Sequence, residues 1–99
     1  MMMNVGFPTV RFNSLLREGK AGEIMKAILD ELKPEAVYFT EMHGARGVVL
    51  IVNLPDPSKV PALAEPWFLE FDATVEFRVV MSGEELGKGD LEGLEKRWG

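Results

Sequence analysis

A carboxylate and a guanidinium stand two residues apart near the end of the chain, at Glu76 and Arg78. They belong to the segment Ala73–Met81, in which Ala73, Val75, Phe77, Val79 and Met81 alternate with Thr74, Glu76 and Arg78. Alternation of that period marks a strand with one face on a core. The polar set shares the other face, where Glu76 and Arg78 emerge about 7 Å apart, within reach of a salt bridge. Tyr38 alternates with Val37 and Phe39 in a second such segment and falls on the same polar face. An acid, a cation and a phenol facing one cavity could carry out proton transfer. A desolvated Glu76 is a general base. Arg78 holds a substrate carboxylate or a developing enolate, and Tyr38 completes the set of candidate catalytic residues. The competing structural reading pairs Glu76 with Arg78 across an interface between chains, with no chemistry.

Candidate ligand contacts come from two other places. Glu65-Pro66-Trp67-Phe68-Leu69-Glu70-Phe71 is the most aromatic run of the chain. Its first explanation is core packing of a helix end on a sheet. As a wall or lid at a pocket mouth, Trp67 and Phe68 would stack on a flat ligand. His43, the only histidine, lies near Glu41 in a turn, where a histidine is ordinarily solvated. At a pocket rim it is the third candidate ligand contact. One histidine, scattered carboxylates and no cysteine do not make a zinc site, so no metal is expected. Gly87-Lys88-Gly89-Asp90 lacks both the Gly-Lys-Ser/Thr ending of a phosphate loop and the Gly-x-Gly-x-x-Gly of a dinucleotide fold.

Composition limits what such a site could serve. The chain has 99 residues and a net charge of −5, with its 11 Lys and Arg dispersed, which argues against nucleic acid as a partner. At this length folding removes roughly 65% of the surface of the unfolded chain, enough for one modest core. Without cysteine there is neither a disulfide nor thiolate chemistry. Met1-Met2-Met3 is followed by Asn4, Gly6 and Pro8 and does not read as a signal peptide. No apolar run approaches the ~18 residues of a membrane span. A cytoplasmic, soluble protein with no membrane partner is expected.

The elements that must position these residues follow from periodicity. A first strand is expected from about Met2 to Phe12, with Pro8 at a bulge or at its end. Asn13-Ser14 offers a helix cap. Ala21, Ile24, Met25, Ile28, Leu29 and Leu32 form a helical stripe, with the firm helix beginning near Lys20 and stopped by Pro34. Ala36–Glu41 is a second strand, Met42–Gly47 a tight connection, and Val48–Leu54 a third strand closing a hairpin. Asp56-Pro57-Ser58 starts a short helix that Pro66 should kink or end. The fourth strand is Ala73–Met81, and 82–99 is expected as a tail, a loop or frayed helix docking at an interface, with Trp98 its anchor. The sum is one α+β domain over 1–99 with the ferredoxin-like order βαββαβ and a four-stranded antiparallel sheet. Val48–Val52 is apolar at every position, which requires cover on both faces. The helices of so short a chain cover one, so a second copy is expected on the other.

The strand–turn–strand "EAVYFTEMHGARGVVLIVNL" and the helix–strand "DPSKVPALAEPWFLEFDATVEFRVVM", about half of the chain, resemble the dimeric α+β-barrel superfamily. Muconolactone isomerases and antibiotic-biosynthesis-type monooxygenases belong to it. The resemblance is one of layout and carries over no catalytic motif. It implies dimerisation through the helix-free face into an α+β barrel, with self as partner and a small organic ligand inside. The expected function is a small-molecule-binding barrel or cofactor-free enzyme, isomerase- or monooxygenase-like, acting on a small aromatic or lactone-like compound. The alternative is a non-enzymatic oligomerising module whose sheet face serves association alone.

Overall fold

The computed structural model describes residues 1–99. Strands β1 (Met2–Gly6), β2 (Ala36–Met42), β3 (Ala45–Ile51) and β4 (Thr74–Arg78) form one sheet in the order β2-β3-β1-β4. Every neighbouring pair is antiparallel. Helices α1 (Thr9–Arg17) and α2 (Ala21–Leu32) connect β1 to β2, and α3 (Val60–Phe71) connects β3 to β4. Helices α4 (Gly83–Gly87) and α5 (Leu91–Trp98) follow the last strand. The fold is α+β with a four-stranded antiparallel sheet. No helix is long and apolar enough to cross a membrane.

The core lies between one face of the sheet and α1–α3. Met3, Val5, Val48 and Leu50 point into it from the two central strands and are completely buried. Leu15 of α1, Ile28 of α2, and Leu63, Trp67 and Phe71 of α3 close it from above. Phe7 is its hub, with ring centroids 5.1 Å from Phe12, 6.0 Å from Trp67 and 4.9 Å from Phe71. Two arginines tie α1 down around this cluster. Arg11 donates to the Glu70 carbonyl from Nε and Nη2, at 3.2 and 3.0 Å, near the end of α3 where carbonyls lack helical donors. Arg46 stacks over Phe12 at 4.8 Å and donates to Asn13 at 2.9 Å.

Several boundaries differ from those read in the sequence. The first strand ends at Gly6 rather than near Phe12, and a helix not anticipated there, α1, contains Asn13 and Ser14. Pro8 sits at the N-cap of α1 with φ −60° and ψ 131°. It ends the strand ladder and presets the chain for a helix, and the Phe12–Leu15 spacing then faces the core. Helix α2 matches its apolar stripe and stops at Lys33, in the left-handed conformation, one residue before Pro34. Asp56 caps a 3₁₀ turn at Pro57–Lys59, and α3 then runs straight on through Pro66. The carbonyl that Pro66 leaves without a donor is that of Ala62, on the exposed side. Leu63 and Ala64 before the proline and Trp67 and Phe71 after it are all buried, so both halves are held on the sheet. Strand β4 stops at Arg78 because its partner β1 begins at Met2, opposite it. Val79, Val80 and Met81 therefore leave the sheet exposed.

The tail is helical, and no side chain of α4 or α5 is buried. It gives the molecule extents of 59 × 28 × 19 Å and a radius of gyration of 17.1 Å, against about 13 Å for a compact chain of this length. Its first helix opens with a capping box. Ser82 Oγ accepts the Glu85 backbone N–H at 3.1 Å, and Glu85 Oε1 accepts the Ser82 backbone N–H at 2.9 Å. Accepting that backbone N–H, with the Ser82 hydroxyl beside it, holds the Glu85 carboxyl below its ordinary range. Because the native value is the lowered one, the cap contributes in full above the ordinary glutamate range. It is lost as pH falls through the native value. An NMR titration should place the Glu85 midpoint below that of a glutamate in an unstructured peptide, and Ser82→Ala, which keeps the backbone N–H and removes only the hydroxyl, should raise it part of the way. A wild-type midpoint at the unstructured-peptide value would exclude the reciprocal cap.

Candidate functional site

The face of the sheet away from α1–α3 is open, and its side chains stand in rows set by strand register. One row is Ala36–Ile51–Met2–Arg78, the next Tyr38–Val49–Asn4–Glu76, and the third Thr40–Gly47–Gly6–Thr74. The third row explains the shape of this face. Two glycines stand side by side on the central strands between Thr40 and Thr74, Gly6 in the floor of a concavity and Gly47 beneath the Met42 side chain. The fit around them is close. A Cβ on Gly6 would come within 2.9 Å of Thr74 Oγ1, and one on Gly47 within 2.8 Å of the Met42 side chain folded over it. A concavity of about 820 Å³ results, within the size range of small-molecule sites. Asn4, Gly6 and Val49 form its floor, Thr74, Glu76 and Arg78 one wall, and Thr40, Met42 and His43 the other.

His43 reaches this wall through its turn. His43 and Gly44 have φ of 52° and 80°, and Met42 pairs with Ala45, which is the two-residue hairpin that needs positive φ at both positions. The Gly44 N–H donates to Glu41 at 2.8 Å, bracing the turn. The hairpin is tighter than the expected connection over Met42–Gly47, and β3 accordingly starts at Ala45 rather than Val48.

Glu76 and Arg78 share the open face, as the alternation of their strand requires. They form no salt bridge with each other. The chain's two ion pairs lie elsewhere and are exposed, Lys20–Glu18 in the turn between α1 and α2 and Lys26–Asp30 along α2. Both residues are exposed, so the desolvation expected of a general base at Glu76 is not supplied by its own chain. Tyr38 shares the face but not the site. Strand order places β2 and β4 at opposite edges, three strand spacings apart, or roughly 14 Å. The strand of Tyr38 enters the concavity through Thr40, Met42 and the turn at His43, and Tyr38 itself, two residues short of Thr40, is not part of the lining.

The aromatic run is divided between core and surface. Trp67 is completely buried among Phe7 and Phe71, on the helix side of the sheet, and its indole N–H has no hydrogen-bond partner. It is not available for stacking on a ligand in the concavity. Phe68, next to it on α3, is 40% exposed on the same side of the sheet and is equally remote from the open face. The residues that shape the site without having been singled out are Asn4, Gly6, Thr40, Gly47 and Thr74. Their one legible signal is glycine inside strand-like segments, which marks a close approach or a place left empty of side chains.

The chain matches no known protein family, no curated protein and no solved structure.

The placement of the two aromatics predicts a sharp difference between them. Trp67→Ala should cost about 3–5 kcal/mol in urea unfolding, and Phe68→Ala about 1 kcal/mol or less. Trp67→Phe should cost much less than Trp67→Ala, because it removes a buried donor that has no partner. Similar losses for Trp67→Ala and Phe68→Ala would contradict this division.

Proposed function

We propose that the protein binds a small organic compound bearing an anionic group in the glycine-floored concavity, with a second copy closing the face over it. The observation that carries this reading is the convergence of Arg78, Glu76, Thr74, Asn4 and His43 around an open concavity of about 820 Å³ with Gly6 in its floor. An unpaired guanidinium offers two parallel donors to a carboxylate, and the Asn4 amide and Thr74 hydroxyl lie within the same trough to hydrogen-bond the rest of the ligand. Val49 and Met42 provide apolar contact for a ring.

Cover by a second copy is supported by the third strand. Val48 and Leu50 lie under the helices, while Val49 and Ile51 on the opposite face remain partly exposed. With its helices on one side, the split β-α-β layout is that of a ferredoxin-like sheet, whose helix-free faces pair into an α+β barrel in the superfamily this chain resembles. Closure removes water from Glu76 and makes its carboxylate a stronger base. Within the closed site Glu76 is placed to take a proton next to a carbonyl, with Arg78 stabilising the resulting enolate. No cofactor is needed for that step.

A second reading, an oligomerising module without a ligand, is favoured by the apolar row Ala36–Ile51–Met2 at the other end of the face. The two are separated by ligand-observed NMR with a panel of small aromatic carboxylates and lactones. At least one should bind the wild-type dimer, and Arg78→Ala should weaken it roughly tenfold or more while leaving the circular dichroism spectrum and the dimer unchanged. A dimer that binds none of the panel favours the module. Unchanged binding in Arg78→Ala would remove the assigned anchor.

A further inference from the structure

The concavity is open on its solvent side, whereas a site that holds a small molecule buries most of it. The same chain carries an unused apolar surface of the opposite shape. Residues 79–99 project from the domain, and Leu86, Leu91, Leu94 and Trp98 are all exposed, Trp98 at 80%. Leu91, Leu94 and Trp98 are spaced 0, 3 and 7 along α5 and share one face of it. Helices of 5 and 8 residues do not hold together in water without tertiary packing. The arm therefore requires a surface to lie on.

We propose that the arm docks on the helix-free face of a second copy, with α5 laying Leu91, Leu94 and Trp98 across the mouth of the concavity. The inference rests on the reading that a second copy closes this face, and names the segment that does so. Three observations favour a second copy over other occupants. The arm contains 21 residues, 20 of them exposed, which is the number that a standard interface takes from each side, about 20–30. Each chain carries one arm and one open face, so a two-fold exchange satisfies both surfaces on both chains and closes without leaving either free. The third observation concerns the chain's own face. The arm departs at the Arg78 end of the sheet, beside Met1, Ile51 and Asn53, where Val80, Ser82 and Glu85 border one groove with them. That end of β4 is opposite the trough at Gly6 and Thr74, and neither helix of the arm buries a residue against its own chain.

In the exchanged dimer the partner's Trp98 forms the cover that the concavity lacks, an exposed aromatic of the kind that dominates binding at interface centres. The site is then built by two chains, with the polar groups from one and the apolar cover from the other. Ligand and dimer are coupled, because cover by the arm is what excludes water from Glu76 and Arg78.

The absence of cysteine makes the contact directly testable. Single-cysteine variants Thr40→Cys and Leu94→Cys, mixed in equal amounts and oxidised with diamide, should give the unlike disulfide dimer at least tenfold faster than either like dimer. By sedimentation, Trp98→Ala should raise the dimer dissociation constant about 30-fold, with the circular dichroism of the domain retained. A wild-type dimer that Trp98→Ala leaves intact, with no unlike disulfide, would overturn the arm while keeping closure by a second copy. A wild-type monomer would overturn both. An intrachain disulfide in the Thr40→Cys/Leu94→Cys double variant of a monomer would show the arm folded on its own face, and would likewise overturn the exchange.

Discussion

A sheet has two faces, and this chain covers one of them. Helices α1, α2 and α3 all pack on the same side of the four strands, where Met3, Val5, Val48 and Leu50 are sealed from water. The opposite side carries Thr40, Gly47, Gly6 and Thr74 at one end and the apolar row Ala36, Ile51 and Met2 at the other, with no helix over either. The remaining features of functional interest follow from that asymmetry. The concavity exists because no helix fills it, and Glu76 and Arg78 remain solvated because nothing within the chain lies above them.

The covered side is held by an aromatic cluster as much as by helix–sheet contact. Phe7 touches Phe12, Trp67 and Phe71, and so joins the end of β1 to α1 and α3 at one point. Arg11 and Arg46 brace the same point from outside, one on the last turn of α3 and the other on the ring of Phe12. This is why α3 survives Pro66: burial of Trp67 and Phe71, about 1.5–3 kcal/mol each, offsets the roughly 3 kcal/mol that an interior proline costs. The same cluster sets the exit of β1, and with it the position of Gly6 at the floor of the trough.

Much of the fold was legible because burial writes a period into a sequence. Val75 and Phe77 alternate with Glu76 and Arg78, and the side each pair takes agrees with the structure. The α2 stripe and the β2–β3 hairpin were legible for the same reason. Helix α1 was not, because its apolar residues are few and follow directly on a strand-like run. The site was legible in part. The two charges and His43 line one concavity, but Gly6 in its floor and the threonines that flank it carry no chemistry of their own to draw attention.

Local pattern, a property of neighbours along the chain, determined which residues face the same way: Glu76, Arg78 and Tyr38 are on one side of the sheet, and Phe77 and Val48 on the other. Only the tertiary structure decided which of them are neighbours. Strand order is set by how the connections cross the sheet, and it sends Tyr38 to the edge opposite Glu76 while placing Gly47 beside Gly6. The same holds for Trp67, whose sequence suits a pocket wall or a core equally well and whose place was settled by the rings of Phe7 and Phe71 packing against it. Periodicity reports the direction of a side chain, and distance across a sheet depends on pairings between residues far apart in the chain.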